Sequence, residues 1–411
     1  QEDYHDMMGK EISGSTVKAK IAKAKALGMH PTAYGAVYAA SKPFFEKHPT
    51  WAFYNSCQEP FVFIDVFYIM NIAEGSPWRK HLFEEYQSAI SMMGFSGIHM
   101  DTYGFPKTAY SHLDAIPKKI KLENELPTLI DETRENVHGE EEPYLIFNNV
   151  GAWPVQRTAD RKQDAVYIEV WPPYDRYASI AQLIRDARTY AKDDKSTILA
   201  AYLKPFREGK REKALPAAKL LMGSIVSNGA THLLTGENQT ALTQGYYSDY
   251  TKFSDSEAEA IRRYYDYMIR YENLFFDPEL QDVTMTHTGW DNYEYQCTSH
   301  KVSSYGEAGK IWMILREKDY RKCIYLLNLC GQSEDYWNEG KEEPNIQKDI
   351  KFTVQVDTPV EKICFSTPDG ENMDAIGLSF TERATKTGKF IDFTVPSLNY
   401  WTTIWIDTKE E

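Results

Sequence analysis

Hydrophobic and polar positions along the first two thirds of the chain alternate between short apolar runs and longer amphipathic stretches. The apolar runs predict buried strands, and the amphipathic stretches predict helices. Because strand and helix alternate, βα units around a parallel sheet are favoured. The predicted strands are 33–38, 96–100, 144–150, 165–171, 197–203 and 231–235. The predicted helices are 13–27, 77–93, 117–138, 175–191, 208–228 and 254–274.

The pattern changes after about residue 276, where short β-rich segments are joined by turns containing Gly, Pro, Asp and Asn. This arrangement predicts an antiparallel β-sandwich. The segments are 311–316, 323–329, 350–356, 361–366, 390–395 and 401–407. We therefore predict two domains, a catalytic barrel at 1–276 and a β-sandwich at 277–411.

Polar residues recur at the ends of the predicted parallel strands, at Asp101, Asn148, Asn149, Glu169 and Glu237. Recurrence at one edge of several strands is typical of a TIM-type (β/α)8 barrel rather than a doubly wound sheet. No glycine-rich phosphate motif follows any strand. The pattern provides about six of the eight strands that the barrel needs. We expect the first strand to be missing from this chain or to lie upstream of it.

Composition and charge narrow the class of ligand. The net charge of −14 and the pI of about 5.3 argue against nucleic acid or an anionic membrane as a partner, and no apolar run suffices to span a bilayer. An aromatic content of 14% suits stacking on sugar rings, although aromatic residues also fill cores. Five scattered cysteines indicate neither a disulfide framework nor a zinc site. We predict no cofactor and no metal site, and the sequence leaves open whether a structural cation is bound.

The segment Gly94–Gly104 carries the first candidate catalytic group. Its apolar strand ends at Asp101, and a glycine-containing turn follows. Asp101 alone could equally cap the next helix. Glu169, at the end of a later strand, provides a second carboxylate, and two carboxylates across one pocket are the machinery of glycoside hydrolysis.

The sequence neighbours of the two acids suggest different environments. Glu169 lies among Tyr167, Val170 and Trp171, an apolar setting that would favour a protonated acid. Asp101 precedes a polar turn, which suits an exposed, ionised nucleophile. The alternative for Glu169 is a buried acid paired with an arginine.

Several segments together resemble glycoside hydrolase family 66, which contains endo-dextranases and cycloisomaltooligosaccharide glucanotransferases. Their order and spacing along nearly the whole chain carry the resemblance. The segments are GFSGIHMDTYG (94–104), FNNVG (147–151), YIEVW (167–171), GEN (236–238), YLLNLCG (325–331) and VPSLNYW (395–401).

The resemblance implies a retaining α-glucan-active enzyme on a (β/α)8 barrel, between an N-terminal immunoglobulin-like domain and a C-terminal β-sandwich. Asp101 matches the nucleophile of the family, and Glu169 matches its acid/base. The start at Asp3 resembles a Tyr-Asp-Trp segment of the family, but the two following residues depart from it. The glucanotransferases carry a long insertion in the late barrel, whereas 204–231 is only one helix long here. This favours hydrolysis.

Further residues at the predicted strand ends could bind sugar hydroxyls or stack on sugar rings, and for each of them a structural role is also open. These residues are Tyr38, Tyr103, Asn148, Asn149, Trp171, Glu237 and Asn238. His99 points to the same side of its strand as Asp101. It could line the site or be a packed core histidine.

Three functional hypotheses follow. The first is a secreted or cell-surface endo-dextranase, whose signal peptide is not in this chain, which cleaves α-1,6-glucan with retention. It predicts carboxyl groups of Asp101 and Glu169 that lie about 5 to 6 Å apart. The second is a cyclising or transferring glucanotransferase. The third is a non-catalytic glucan-binding protein on a degenerate barrel. In each case the partner is an α-glucan polymer or oligosaccharide.

Overall fold

The computed structural model divides the chain into two compact units, each considered by itself. The N-terminal unit consists of Gln1–Glu169 and Tyr190–Lys195, and the C-terminal unit consists of Val170–Thr189 and Ser196–Glu411. The residues that the structure describes are 3–6, 9–192, 195–245, 251–289 and 292–409.

The N-terminal unit is a mixture of strands and helices. Its strands are β1 (Asp3–His5), β2 (Glu11–Ser13), β3 (Thr32–Ala36), β4 (Ala39–Ala40), β5 (Phe53–Tyr54), β6 (Val62–Phe63), β7 (Phe67–Ile69), β8 (Gly97–Asp101), β9 (Thr108–Ser111), β10 (Lys118–Lys121), β11 (Tyr144–Val150) and β12 (Ala165–Glu169). Its helices are α1 (Gly14–Ala26), α2 (Lys42–Lys47), α3 (Pro77–Ser88), α4 (Leu122–Asn136) and α5 (Val155–Thr158).

Four parallel strands in the order β12-β11-β8-β3 form the main sheet of this unit. Side chains alternate between its two faces, so the register decides which residues share a face. One of them, here called the site face, carries Tyr34, Ala36, His99, Asp101, Asn148, Tyr167 and Glu169. These residues come from four strands, so the sheet assembles chemistry that is scattered along the sequence.

The opposite face of the sheet is mostly apolar. Met100 and Phe147 are fully buried there, in one core with Leu126 and Leu129 of α4 and Leu82 of α3. The helical residues recur at intervals of three and four, which places them on one side of each helix. This core packs against the face of the sheet that is opposite to the site face. It holds the strands in place, while the polar side chains lie on the site face.

Gly97 allows β8 and β11 to approach closely. A Cβ atom at this position would lie 2.1 Å from the carbonyl oxygen of Tyr144 on the neighbouring strand. Any side chain would therefore push the two strands apart. Since β8 ends at Asp101, this glycine also controls the position of the first carboxylate.

Local signals predicted some helix boundaries well and others poorly. Helix α3 begins at Pro77 with Ser76 as its N-cap and continues as a π-helical turn, Ala89–Met93, before Gly94. The prediction of a helix from residue 117 was wrong, because Lys118–Lys121 forms a strand that pairs with Thr108–Ser111. There Ile120 is the buried residue of the strand, between exposed lysines.

The aromatic segment between β3 and α3 forms one small antiparallel sheet by itself, in the order β4-β7-β6. Its strand β5 joins β9 and β10, which follow β8, in a second sheet of order β10-β9-β5. The segment around Asp3 pairs with Glu11–Ser13 as an antiparallel ribbon. Asp3–His5 is therefore not a strand of the parallel sheet.

The C-terminal unit begins with helix–strand units and continues with strands. Its helices are α6 (Tyr177–Ala191, except the last two residues), α7 (Ala214–Ser227), α8 (Asp255–Arg270) and α9 (Glu272–Phe275). Its strands are β13 (Ser196–Ala200), β14 (Ala230–His232), β15 (Thr235–Gly236), β16 (Thr240–Ala241), β17 (Thr251–Lys252), β18 (Gln281–Asp282), β19 (Tyr295–Cys297), β20 (Val302–Ser303), β21 (Ile311–Lys318), β22 (Arg321–Asn328), β23 (Gln347–Val356), β24 (Val360–Ser366), β25 (Ile376–Gly377), β26 (Phe380–Thr385), β27 (Gly388–Leu398) and β28 (Trp401–Thr408). Strands β13 and β14 pair in parallel.

Two sheets of the C-terminal unit enclose one apolar core. The larger has the order β18-β21-β22-β28-β24-β25, with β20 beside β21, and the smaller has the order β19-β23-β27-β26. All their pairings are antiparallel except that of β20 with β21. Ile324 and Ile404 from the larger sheet share this core with Phe352 and Phe393 from the smaller. The core stabilises a layered arrangement of two sheets.

The structure is thus a mixed α/β fold with a parallel sheet and antiparallel sheets. The described strands do not form a closed barrel, since β3 ends the order of the sheet in the N-terminal unit. In a closed barrel, further strands would continue the sheet until the last strand pairs with the first. The predicted domain boundary at 276/277 stays a prediction, and the C-terminal unit contains elements from both sides of it.

Among the helices in the described ranges, none has the length and apolar character that crossing a bilayer requires.

Candidate active site

Asp101 is the last residue of β8 and pairs with Ala36 of β3. Its side chain is buried and has two side-chain partners. Oδ1 accepts a hydrogen bond from Nδ2 of Asn148 at 2.7 Å, and Oδ2 accepts one from the hydroxyl of Tyr34. Tyr34 lies two residues before Ala36 on the same face of β3. Because the Ala36 side chain is small, the longer side chain of Tyr34 can reach the carboxylate.

Glu169 ends β12, two strands away from β8, and the same amide reaches it. Nδ2 of Asn148 also donates to Oε2 of Glu169, at 3.2 Å. Oδ1 of Asp101 and Oε2 of Glu169 can therefore be no farther apart than these bonds of 2.7 and 3.2 Å laid end to end, about 5.9 Å. Retaining glycosidases hold their carboxyl groups about 5–5.5 Å apart, and inverting ones about 6.5–9.5 Å.

Asn148 has a fixed orientation between the two acids. Only its NH2 group can donate to carboxylates, so the amide oxygen must point elsewhere. That oxygen is buried, and no described group donates to it. Asn148 was predicted as a sugar-binding residue, and the structure places its amide nitrogen as the link between the candidate catalytic groups.

Burial raises the pKa of Asp101 to about 6. The hydrogen bonds from Tyr34 and Asn148 act in the opposite direction, and the charge of Glu169 raises the pKa further. Near pH 7 Asp101 is therefore mostly ionised, but it becomes protonated in mildly acidic solution. A buried carboxylate of this kind needs its hydrogen-bond donors in order to remain charged.

The predicted environments of the two acids were wrong. Asp101 is only 8% exposed, whereas Glu169 is partly exposed. Sequence neighbours misled the prediction because the side chains around a strand residue come largely from the neighbouring strands. The surroundings of Asp101 come from β3 and β11 instead.

Tyr34 was not among the predicted site residues, because the prediction considered only strand ends. The signal was present in the spacing, since Tyr34 precedes the strand end at Ala36 by two positions and so shares its face. Recognising its partner required the register in which Ala36 lies beside Asp101.

His99 shares the site face with Asp101, as predicted from alternation. Its ring lies 4.7 Å from that of Tyr167 in an edge-on arrangement, and 6.2 Å from that of Tyr34. Burial lowers the pKa of His99 to about 4, so the imidazole is neutral near pH 7. Together with Tyr34 and Tyr167, it contributes an aromatic ring to the site face.

Tyr38 and Tyr103 are brought together, but Tyr38 is enclosed. The Tyr38 hydroxyl accepts a hydrogen bond from the backbone N–H of Tyr103 at 2.6 Å and donates to the carbonyl of Phe105 at 2.9 Å. It therefore fixes the loop that follows Asp101. The partly exposed ring of Tyr103 stacks on Phe63 at 4.3 Å, where an aromatic surface adjoins this loop.

Asn149 is not brought to the site face. Its side chain is fully buried on the opposite face. It donates to the carbonyl of Tyr167 at 2.9 Å, and it accepts a hydrogen bond from the hydroxyl of Thr158 at 2.6 Å. The predicted contact with sugar is therefore replaced in this structure by a link between β11, β12 and α5.

Replacing Asn149 by Ala should lower the free energy of unfolding by about 2–4 kcal/mol, because buried partners would lose their hydrogen bonds. On the glucan that the sequence analysis predicts as substrate, KM should change less than twofold at temperatures where the variant is folded. Urea unfolding and initial rates measure the two effects. A large rise in KM without a loss of stability would instead indicate contact with the substrate.

Trp171, Glu237 and Asn238 belong to the C-terminal unit. Trp171 is 40% exposed and lies edge-on to Tyr202, with ring centres 6.1 Å apart. Glu237 and Asn238 lie in the exposed turn between β15 and β16. They follow a hairpin strand rather than the parallel strand β14, so the predicted strand-end position was wrong for both residues.

No cluster of His, Cys, Asp and Glu suited to a metal ion is found in the described part of the chain. The arrangement on the site face is that of acid–base and nucleophilic chemistry. It comprises a buried carboxylate, a partly exposed carboxylate, and a shared amide between them.

Comparison with known proteins places this arrangement in a family. The family model described as glycosyl hydrolase family 66 matches residues 1–405. The chain belongs to glycosyl hydrolase family 66. Its two segments with the candidate carboxylates are thus parts of a family 66 sequence, as the sequence motifs predicted.

Curated relatives from Niallia circulans are two cycloisomaltooligosaccharide glucanotransferases. One is 20% identical over 544 aligned positions, covering 98% of this chain and 55% of the relative. The other is 26% identical over 191 positions, covering 46% of this chain and 19% of the relative. The family 66 chain thus spans about half the length of the first relative and a smaller part of the second.

Solved structures support the fold. The cycloisomaltooligosaccharide glucanotransferase of Paenibacillus sp., crystallised with cycloisomaltoheptaose, superposes with a TM-score of 0.88 at 17% identity, covering 98% of this chain and 77% of that one. A maltogenic α-amylase from Thermotoga neapolitana superposes with a TM-score of 0.57 at 10% identity, covering 97% and 82% of the two chains. At these identities the similarity concerns the fold.

Proposed function

We propose that this protein is a retaining glycoside hydrolase that cleaves α-1,6-glucan within the chain, as an endo-dextranase does. The observation that carries the proposal is the amide of Asn148, which donates to both Asp101 and Glu169. It brings two carboxylates within the separation of a double-displacement mechanism. Membership of family 66 supports the same class of reaction.

In the first step, a carboxylate oxygen of Asp101 attacks the anomeric carbon while the glycosidic C–O bond breaks. Glu169 gives its proton to the departing oxygen. The carboxyl group of Glu169 suits this role because it is partly exposed, so a leaving sugar and then water can reach it. Asp101 suits the role of nucleophile because it is mostly ionised above pH 6.

In the second step, Glu169 takes a proton from an attacking water molecule. The water oxygen bonds to the anomeric carbon from the face that the first sugar left, and Asp101 departs as a carboxylate. The product keeps the α configuration. If a sugar hydroxyl replaces water, the same step transfers the glycosyl group instead.

One observation favours water as the acceptor. The alignment with the first glucanotransferase extends over 544 positions, but this chain has only 411 residues. The relative therefore carries well over a hundred inserted residues within the matched region. Between β13 and β14 this chain has two 3-10 turns and one α-helix, α7, so the long insertion expected of a cyclising enzyme is not found there.

The second candidate is cycloisomaltooligosaccharide glucanotransferase activity. It is favoured by the names of the two relatives and of the family 66 structure. Both candidates require the same pair of carboxylates, and they differ only in what attacks the glycosyl–enzyme.

The proposal extends to location and architecture. A polymeric glucan cannot cross a membrane, so an enzyme that shortens it would act as a secreted or cell-surface protein. The (β/α)8 barrel predicted from the sequence is also part of this proposal, and the alternation of strands and helices within each unit supports it.

Incubation with dextran, pullulan and soluble starch tests the function. We expect dextran alone to be shortened, with a rapid fall in viscosity and linear isomaltooligosaccharide products that first appear as α anomers in proton NMR. Cyclic products in mass spectra would favour the glucanotransferase. Products that first appear as β anomers, or no cleavage of any polymer, would contradict the proposal.

A further inference from the structure

Tyr34 combines an exposed ring with an enclosed hydroxyl. The residue is 66% exposed, yet its hydroxyl donates to Oδ2 of Asp101. Burial of the hydroxyl, followed by the charge of Asp101, raises the pKa of Tyr34 well above its ordinary value. The phenol therefore remains protonated, and it acts as a hydrogen-bond donor rather than as a base.

The groups that stabilise the ionised form of Asp101 are uncharged hydrogen-bond donors. The interactions that lower its pKa come from Tyr34, Asn148 and the backbone N–H of Thr102. Asn148 divides its amide between two acids, whereas the hydroxyl of Tyr34 has Asp101 as its acceptor. Tyr34 is thus the donor most directly dedicated to this carboxylate.

Other titratable groups around Asp101 do not supply a positive charge. They are Glu169 on β12, His99 on its own strand, Tyr86 on α3, Tyr38 and Tyr103. His99 is neutral near pH 7 because burial lowers its pKa to about 4. The burial of Asp101 is therefore offset by hydrogen bonds rather than by an ion pair.

We propose that Tyr34 is a positioning residue for the nucleophile. Its hydroxyl keeps Asp101 in the charged form and then stabilises the departing carboxylate when the glycosyl–enzyme breaks down. This inference rests on the proposed function, in which Asp101 attacks the anomeric carbon.

The two steps use this hydrogen bond differently. In the first step, the Asp101 oxygen forms a bond to the anomeric carbon, the negative charge of the carboxylate is lost, and the bond from Tyr34 weakens. In the second step, the ester C–O bond breaks, its electron pair returns to Asp101, and the bond from Tyr34 strengthens. The Tyr34 proton stays on the phenol throughout. Removal of the hydroxyl therefore slows the second step more than the first.

The variant Tyr34→Phe tests this inference in the intact chain. Because Tyr34 is largely exposed, we expect the variant to fold, and thermal unfolding checks that. The acid limb of the pH profile of kcat/KM should move up by about one unit. Near pH 7.5, kcat should fall about tenfold and KM should fall with it, because the glycosyl–enzyme accumulates.

Tyr144→Phe is the matched control, since it removes a phenolic hydroxyl from a partly exposed tyrosine of the same sheet. Its acid limb should coincide with that of the wild type. If the acid limb of Tyr34→Phe also coincides with the wild type, the inference is overturned, whatever the loss of rate.

A second measurement does not depend on turnover. In the Glu169→Gln background, carbon-13 NMR of labelled aspartate carboxyl groups can follow the titration of Asp101, with Asp101→Asn to assign its signal. Addition of Tyr34→Phe should raise the titration midpoint by about one pH unit. An unchanged midpoint overturns the inference, even if the wild type cleaves no glucan and the proposed function itself has failed.

Discussion

Replacement of Asp101 by Asn is expected to lower kcat on dextran by at least about 10³-fold, because an amide cannot form the glycosyl–enzyme. The fold should remain intact. The amide oxygen of Asn can accept from Asn148, and its NH2 group can donate to the Tyr34 oxygen, so the two partners of Asp101 remain satisfied. Initial rates and circular dichroism measure the two properties.

The same variant should be more stable than the wild type above pH 6. The folded-state pKa of Asp101, about 6, lies above its ordinary value of 3.8. The folded wild-type protein is therefore most stable at low pH, where the Asp101 carboxyl is neutral in both the folded and the unfolded state. It loses stability as the pH rises from about 4 to 6. The advantage of Asp101→Asn should grow over that interval and level off at about 1–3 kcal/mol above it.

Glu169→Gln provides the matched comparison. It removes the proton donor but keeps the shape of the side chain, and it should cost about 10²–10⁴-fold in kcat. Substrates with a good leaving group need no protonation, so their first step should be less affected. If neither variant alters the interaction with glucan, and the wild type has no turnover, the non-catalytic glucan-binding hypothesis is correct instead.

Replacement of Asp369 by Ala should lower the free energy of unfolding by about 3–5 kcal/mol. Its carboxylate is almost fully buried and accepts hydrogen bonds from the backbone N–H groups of Tyr400 and Trp401, at 3.1 and 3.0 Å, and from the hydroxyl of Tyr264 at 2.7 Å. The ammonium of Lys219 lies 3.6 Å away. Alanine would leave all of these groups without their acceptor.

The nearby Asp374 is the control for this prediction. It also pairs with a cation, Arg270, at 2.6 Å, but both side chains are about half exposed. Asp374→Ala should therefore cost less than about 1 kcal/mol. Urea unfolding at pH 7 measures both variants. Equal losses for Asp369→Ala and Asp374→Ala would contradict the central role of Asp369.

Asp369 also bears on the predicted domain boundary. Lys219 and Tyr264 belong to helices that precede residue 276, whereas Tyr400 and Trp401 follow it, and all lie in the C-terminal unit. A single cooperative transition that shifts as a whole in Asp369→Ala would show that these elements unfold together.

Elements that are marked by short-range sequence features, such as an apolar run or a helix-terminating residue, could be predicted from the sequence. Strand β8 is apolar and ends at a carboxylate, and α3 with its π-helical continuation spans the predicted range 77–93, between Ser76 and Gly94. Such signals act within a few residues, so they survive in any tertiary setting. The strand Lys118–Lys121 was missed because its pairing with Thr108–Ser111 overrides a weak helical preference.

The identity of the two candidate carboxylates could be predicted from the sequence, but their surroundings could not. Asp101 and Glu169 are visible in the sequence as strand ends, and the motifs around them identified the family. Their burial is reversed relative to the prediction, because the groups that surround Asp101 lie 47 and 67 positions away, at Asn148 and Tyr34.

The sequence by itself determined the family, the alternation of strands and helices, and the two acids, because each of these depends on residue identity and short spacing. Only the tertiary structure decided that Tyr34 and Asn148 hold Asp101, that Asn149 faces the core, and which acid is shielded from water. These properties depend on strand register, and a shift of one residue would turn every side chain to the other face.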